Sequence, residues 1–306
     1  MDLRTRPDEL RGISLCAGYA GLDLGLHIAE PGYRTVAFVE REAHAAATLV
    51  ARMDDATLAP APIWDDLRTF DGRAWRGRVH IVTAGYPCQP FSLAGARRGC
   101  DDPRHLWPEV ARIIGEVGPR WVFCENVEGH ISLGLAEVAG ELRAMGYTPK
   151  AGMFSAREAG ASHVRRRIFL LAHADSERWR LFSGSDHRGS GVANDRAFRL
   201  LDGERWPVRP DDLGAELDVP VADHEGAGLD ADGFSPLFAP GPDQFQEWDR
   251  LLPRRPDLQP ALFRSDDGVA DRVERSRAAG NGVCSLAAAI AWSTLSAAHR
   301  GAAAMT

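Results

Sequence analysis

Apolar residues along this chain gather in short runs, and each run stops at a glycine or a polar residue. Gly12-Ile13-Ser14-Leu15 leads into the small-residue stretch Cys16-Ala17-Gly18-Tyr19-Ala20-Gly21-Leu22, and Thr35-Val36-Ala37-Phe38-Val39 ends at Glu40. Ile63-Trp64 precedes Asp65-Asp66-Leu67, Val79 to Ala84 ends at Gly85, and Trp121-Val122-Phe123-Cys124 ends at Glu125-Asn126-Val127. His163-Val164-Arg165-Arg166-Arg167 runs directly into Ile168-Phe169-Leu170-Leu171-Ala172. Runs of this length bounded by turn residues predict buried strands. Between them, helical periodicity predicts helices from the glycine turn to about Glu30, from Ala43 to Arg52 and from Leu106 to Gly115. A further helix ends at Gly146-Tyr147-Thr148-Pro149, and an alanine-rich one spans Ser285 to Ala298. Strand, helix, strand in this alternation is the pattern of an α/β, Rossmann-like doubly wound sheet.

In such a sheet ligands bind outside the carboxyl ends of the strands, where this sequence keeps its polar residues. The turn Cys16 to Leu22 lets a nucleotide-like ligand approach backbone and helix N-terminus. Glu40, about twenty residues on, stands where a carboxylate takes ribose hydroxyls, and Asp66 where a third acid meets an adenine amino group. NAD and S-adenosylmethionine both suit two mononucleotide folds. Gly18-Tyr19-Ala20-Gly21 departs from the spaced Gly-x-Gly-x-x-Gly fingerprint of pyrophosphate binders, which favours the methyl donor.

Tyr86-Pro87-Cys88-Gln89-Pro90-Phe91-Ser92 follows the fourth run. Gly85 frees the backbone and two prolines stiffen the loop around Cys88, a good setting for a nucleophile at a strand's carboxyl end. Read alone, a lone cysteine there is more often structural. Glu125 would be costly inside a sheet but sensible at its mouth, where burial can raise a carboxyl pKa. In strand register Arg165 and Arg167 point to one face and Arg166 to the other, and paired guanidiniums suit a phosphate or a base carbonyl.

Together these motifs resemble the DNA (cytosine-5)-methyltransferases, in the style of their small bacterial or phage members. The resemblance rests on Leu15 to Leu22, Glu40, Asp66-Leu67, the Pro87-Cys88 loop, Glu125-Asn126-Val127, His163 to Arg167 and Gly280-Asn281-Gly282-Val283. It covers about residues 12–173 and 268–298. It implies an S-adenosylmethionine methyltransferase sheet, with Cys88 adding to carbon 6 of cytosine, Glu125 serving ring nitrogen 3 and Arg167 holding the base oxygen. Arg165 is implied to brace the loop or a phosphate. Donor contacts are implied for Cys16, Gly18, Tyr19, Gly21, Leu22, Glu40, Asp66, Leu67, Pro87, Leu106 and Asn281. The stretch Gly95 to Arg104 resembles the family's mobile loop over the target base. Three departures stand out: Cys16 replaces the usual phenylalanine, Ala20 the middle glycine, and His163 the glutamine of Gln-x-Arg-x-Arg.

Domain organisation follows the same comparison. Residues 1–173 plus 268–306 are expected to form the catalytic unit, and 174–267 an inserted target-recognition domain with Arg178, Arg180, Arg188, Arg196 and Arg199 as candidate base readers. The net charge of −7 argues against nucleic acid only until its distribution is seen: residues 211–232 carry eight acids and no Lys or Arg. Five cysteines at no zinc spacing, with no secretory start, fit reduced thiols in a cytoplasmic, metal-free and non-membrane protein. The expected partner is double-stranded DNA, with a cognate restriction endonuclease acting on the same site, and a monomer is expected. A transfer RNA cytosine-5 methyltransferase, a silent DNA- or donor-binding regulator and, more distantly, a nicotinamide oxidoreductase are the other readings.

Overall fold

Among the described residues seven strands form one sheet: β1 (Leu10–Leu15), β2 (Tyr33–Val39), β3 (Ile63–Trp64), β4 (Ile81–Ala84), β5 (Trp121–Val127), β6 (Tyr147–Ser155) and β7 (Arg166–Ala174). Their order is β3-β2-β1-β4-β5-β7-β6. β1 pairs in parallel with β2 and β4, β2 with β3, and β4 with β5. β7 runs antiparallel to both its neighbours, between β5 and β6. The computed structural model describes residues 9–87, 106–161, 163–175, 245–251, 253 and 282–303.

Chain order reverses between β1 and β4. β1 leads left to β2 and β3, after which the chain crosses back to β4 and β5. The crevice above that switch point is where an open α/β sheet binds its ligand. Five helices follow the strands they serve: α1 (Gly21–Ala29), α2 (Ala43–Asp54), α3 (Trp107–Val117), α4 (His130–Leu133) and α5 (Leu135–Ala144). Beyond them lie α6 (Phe245–Leu251) and α7 (Ser285–Ala303).

Side chains of successive strand residues go to opposite faces, and both faces are packed. Val122, Cys124, Leu170 and Ala172 join Ile113 and Ile114 of α3 and Val138 and Leu142 of α5 on one face. Phe123, Phe169 and Leu171 join Leu22 and Leu26 of α1 and Ala288, Trp292 and Leu295 of α7 on the other. Both faces are covered, so the central strands read as nearly continuous apolar runs.

Two expectations change. Gly146 to Pro149 does not only close a helix: α5 ends at Ala144, Gly146 takes φ 79, and Tyr147 opens the nine-residue strand β6. Pro149 hid that strand from the sequence, but β6 is an edge, where a residue without an N–H is tolerated. The arginine register also shifts. β7 begins at Arg166, and Arg165 sits before it with a left-handed φ of 34, so strand alternation does not place Arg165 beside Arg167.

Candidate active site

The turn after β1 is strained, and its surroundings hold it. Cys16, Gly18 and Ala20 all take left-handed conformations, with φ of 50, 53 and 59. For the two non-glycines this costs roughly 1–2 kcal/mol each. The turn is tied down by Ala20 N donating to Ala17 O (2.9 Å) and Ala17 N donating to Val39 O (3.2 Å). Gly18 N donates to Glu40 Oε2 at 2.6 Å, and Glu42 N to Glu40 Oε1 at 2.7 Å. Glu40 thereby staples the β1 turn to the start of α2. A side chain added at Gly18 would meet nothing within 4 Å, so this stretch of backbone stands open to a ligand. Burial, and then Glu40, push the Cys16 thiol up to about 12, which disfavours its thiolate. Leu22 is buried in the core with Leu26 and Trp292, and Tyr19 Oη lies 3.2 Å from His44 Nδ1.

Beside β2, the β3 end is positioned by α3. Arg112 donates to Leu67 O (2.9 Å) and Phe70 O (3.1 Å) while pairing with Glu109 (2.8 Å) and Glu116 (2.9 Å). Glu116 in turn accepts from Gly72 N at 2.8 Å. This clamp fixes the half-buried Asp66, whose Oδ1 accepts from Arg68 N at 2.9 Å. Leu67 is packed in the core near Trp107, and Leu106 caps α3 beside it.

At the centre, β4 and β5 present Gly85 and Glu125 side by side. A methyl group built on Gly85 would lie 3.6 Å from Cys16 O and 3.9 Å from Glu125 Oε2, so the donor-type turn and the carboxyl meet there. Glu125 is 8% exposed, and Arg167 Nε lies 3.0 Å from its Oε1. Burial raises the Glu125 carboxyl to about 7, against the opposing pull of Arg167 and Arg165. It can therefore hold or yield a proton near neutrality. Arg165 donates from Nη2 to Gly282 O, which draws the segment before α7 to the mouth of the sheet. Arg166 faces solvent, 3.9 Å from Glu128.

The segment leading to the cysteine loop is anchored from β5. Asn126 Nδ2 donates to Tyr86 O at 3.0 Å. Tyr86 Oη lies 3.0 Å from Nε2 of the buried His130, whose pKa burial lowers to about 4, so the imidazole is neutral. Pro87 is exposed at the end of this anchored stem. Cys88 and Asn281 lie outside the described residues, as do the 95–104 loop and the candidate base-reading arginines.

The structure thus gathers Cys16, Gly18, Glu40, Gly85, Glu125, Arg165 and Arg167 around one crevice. Sequence reasoning did not single out Asp23, Arg112, Glu116 and His130 as contributors. Their signal, polar residues at otherwise apolar helix and loop positions, acquires meaning only once partners from other elements are known. Among the described residues no group of His, Cys, Asp or Glu is arranged to hold a metal, and no helix is long and apolar enough to cross a membrane.

A family model described as C-5 cytosine-specific DNA methylase matches residues 10–200. The type II methyltransferase M.NgoMIV of Neisseria gonorrhoeae is 32% identical over 168 residues, covering 54% of this chain and 52% of that protein. M.PspPI of a Psychrobacter species is 40% identical over 118 residues, covering 38% of this chain and 27% of its own. The chain thus spans about half the length of the first of these curated relatives and less of the second. Among solved structures, the Dnmt2 methyltransferase of S. pombe is similar with a TM-score of 0.45 and 23% identity, over 54% of this chain and 51% of that one.

Proposed function

Because the chain belongs to the C-5 cytosine-specific DNA methylase family, we propose that it transfers a methyl group from S-adenosylmethionine to carbon 5 of cytosine in a specific double-stranded DNA sequence. The observation that carries this reading is Glu125, a buried carboxyl poised near pH 7 beside Arg167 at the mouth of the sheet.

The donor's place is the crevice above β1 and β4. The open backbone at Gly18, the stapled carboxylate of Glu40 and the clamped Asp66 fit a ligand with ribose hydroxyls and an adenine amino group. Cys16, Tyr19, Gly21, Leu22, Leu67, Pro87, Leu106 and Asn281 complete the proposed contacts. When bound, S-adenosylmethionine supplies an electrophilic methyl group.

The chain's own residues make cytosine able to accept it. Carbon 5 is a poor nucleophile, and a stacked base is out of reach, so the cytosine is flipped out of the duplex. The Cys88 thiolate forms a bond to carbon 6, while protonated Glu125 gives its proton to, or hydrogen-bonds, ring nitrogen 3. Carbon 5 becomes enamine-like and takes the methyl as its bond to the sulfonium breaks, leaving S-adenosylhomocysteine. Loss of the carbon 5 proton to a base and rupture of the sulfur–carbon bond return the thiolate and free the product, and nitrogen 3 returns its proton to Glu125. Arg167 holds the base oxygen, and Arg165 braces the site through Gly282.

Residues 174–267 are proposed to form the sequence-reading domain, inserted into a catalytic unit of 1–173 plus 268–306. α7 supports an insertion, because Trp292 bonds Glu30 of α1 (2.8 Å) and His299 lies 3.0 Å from Leu171 O of β7; the chain therefore returns to the sheet it left.

Incubation with tritiated S-adenosylmethionine and either unmethylated plasmid DNA or unmodified transfer RNA tests the reaction and its substrate. Label in DNA alone is expected, and label in transfer RNA alone would overturn the DNA assignment.

A further inference from the structure

One acid buried between α1 and the sheet has no part in the chemistry above. Asp23 stands in the first turn of α1, three residues past the left-handed Ala20, and is 1% exposed. Four hydroxyls from three strands converge on its carboxyl. Ser14 of β1 donates to Oδ2 at 2.6 Å. Tyr33 (2.8 Å) and Thr35 (3.0 Å) of β2 and Thr83 of β4 (3.3 Å) donate to Oδ1. Thr35 also lies 3.1 Å from the Tyr33 hydroxyl. Ser14 and Thr83 are direct partners across β1 and β4. Gly12 makes the cluster possible, since a methyl group there would fall 2.4 Å from the Tyr33 hydroxyl.

All four partners are neutral, and burying a carboxyl is costly unless its hydrogen bonds are all made. Burial pushes the Asp23 carboxyl up, and the hydroxyls pull the other way. A sheet that needed only stability would be served as well by apolar side chains at these positions. What the carboxyl adds is direction. It joins the first turn of α1 to β1, two residues before Cys16, and to β4, two residues before Gly85. The two loops it spans are those that border the switch-point crevice, and one of them is a turn with three left-handed residues. Strained backbone of that kind persists only where its surroundings over-determine it.

We propose that Asp23 is a positioning residue for the methyl donor, clamping the Cys16–Gly21 turn in its binding shape and in register with the Gly85 stem. This rests on the S-adenosylmethionine reading above.

Calorimetric titration with S-adenosylhomocysteine tests it on the full chain, beside binding to a duplex DNA fragment and thermal melting of each variant. Asp23→Leu is expected to weaken S-adenosylhomocysteine about tenfold or more, and Thr83→Val, which removes one hydroxyl at constant shape, about threefold. Asp23→Asn, which keeps acceptor oxygen and size, should recover most of the lost affinity. DNA affinity should stay within about twofold throughout. Should Asp23→Leu not fold, Thr83→Val and Asp23→Asn decide the matter. Folded variants that bind S-adenosylhomocysteine like the wild type, or that lose DNA affinity in equal measure, would overturn the positioning role and leave a purely structural cluster. A wild-type protein that does not bind S-adenosylhomocysteine would overturn the donor reading itself, and the proposal with it.

Discussion

Glu125 of β5 and Arg167 of β7 are diagonal neighbours, Glu125 lying opposite Phe169 and Arg167 opposite Val127, and Oε1 and Nε are 3.0 Å apart. Yet burial outweighs that ion pair, and the carboxyl sits near pH 7 rather than below its ordinary range. An ion pair alone would fix Glu125 as an anion. A carboxyl kept between charge states can serve a ring nitrogen that gains a proton and gives it back.

Glu125→Gln removes the proton but keeps the shape. It should lower methyl transfer to DNA by about 100-fold or more, with S-adenosylhomocysteine affinity unchanged. Single-turnover kinetics and calorimetry on the same preparation check this. Turnover within about tenfold of wild type would take the acid role away from Glu125.

The same carboxyl makes a stability prediction. Its folded pKa is raised, so between about pH 4.5 and 7 the native state binds more protons than the unfolded chain, and stability falls as pH rises through that window. The contribution is on the order of 3 kcal/mol. Denaturant unfolding at pH 5 and pH 8 should show wild type losing stability relative to Glu125→Gln over this interval. A constant difference between the two proteins would contradict the raised pKa.

His130 acts in the opposite sense. Its folded pKa is depressed to about 4 from 6.5, so the unfolded chain binds the extra proton and stability is lost as pH falls from about 6.5 towards 4. Tyr86→Phe leaves buried His130 Nε2 without its Tyr86 partner and should cost about 1–3 kcal/mol at pH 7. Tyr86→Phe with His130→Leu, which replaces both polar partners, should recover much of that loss. Equal destabilisation by the single and double changes would show that the hydrogen bond is not what couples the two side chains.

Close packing joins α1 to the segment before and within α7, and two glycines make it possible. A methyl group on Gly21 would fall 2.6 Å from Val283 O, and one on Gly25 2.6 Å from Ser285 O and from Ala288 Cβ. Gly25→Ala should therefore destabilise by about 1–3 kcal/mol, although alanine favours helix. Gly129→Ala meets nothing within 4 Å and should stay within about 1 kcal/mol of wild type. Equal unfolding midpoints for the two variants would contradict the packing of α7 on α1.

Much of this arrangement was legible in the sequence because strand ends carry the polar residues. β5 appears as read, Trp121 to Val127, with Glu125 at its mouth, since an acid closing an apolar run has little choice of place. β6 is not legible as a strand because Thr148, Pro149 and Lys150 interrupt its apolar pattern, which an edge strand tolerates. The Arg-Arg-Arg run suggests a strand face for Arg165 that its left-handed backbone does not give it, and nothing in the run signals that conformation. The hydroxyl cluster on Asp23 was hidden for a different reason: its four donors come from β1, β2 and β4, and only sheet order brings them together.

The most direct test of the central claim is bisulfite sequencing of unmethylated plasmid DNA after incubation with the protein and S-adenosylmethionine, beside a Cys88→Ser control. Conversion-resistant cytosines are expected in one short sequence context, and none in the control. Resistance that persists in Cys88→Ser would contradict the covalent mechanism, and no resistant cytosine from folded protein that binds S-adenosylhomocysteine would contradict DNA cytosine methylation itself.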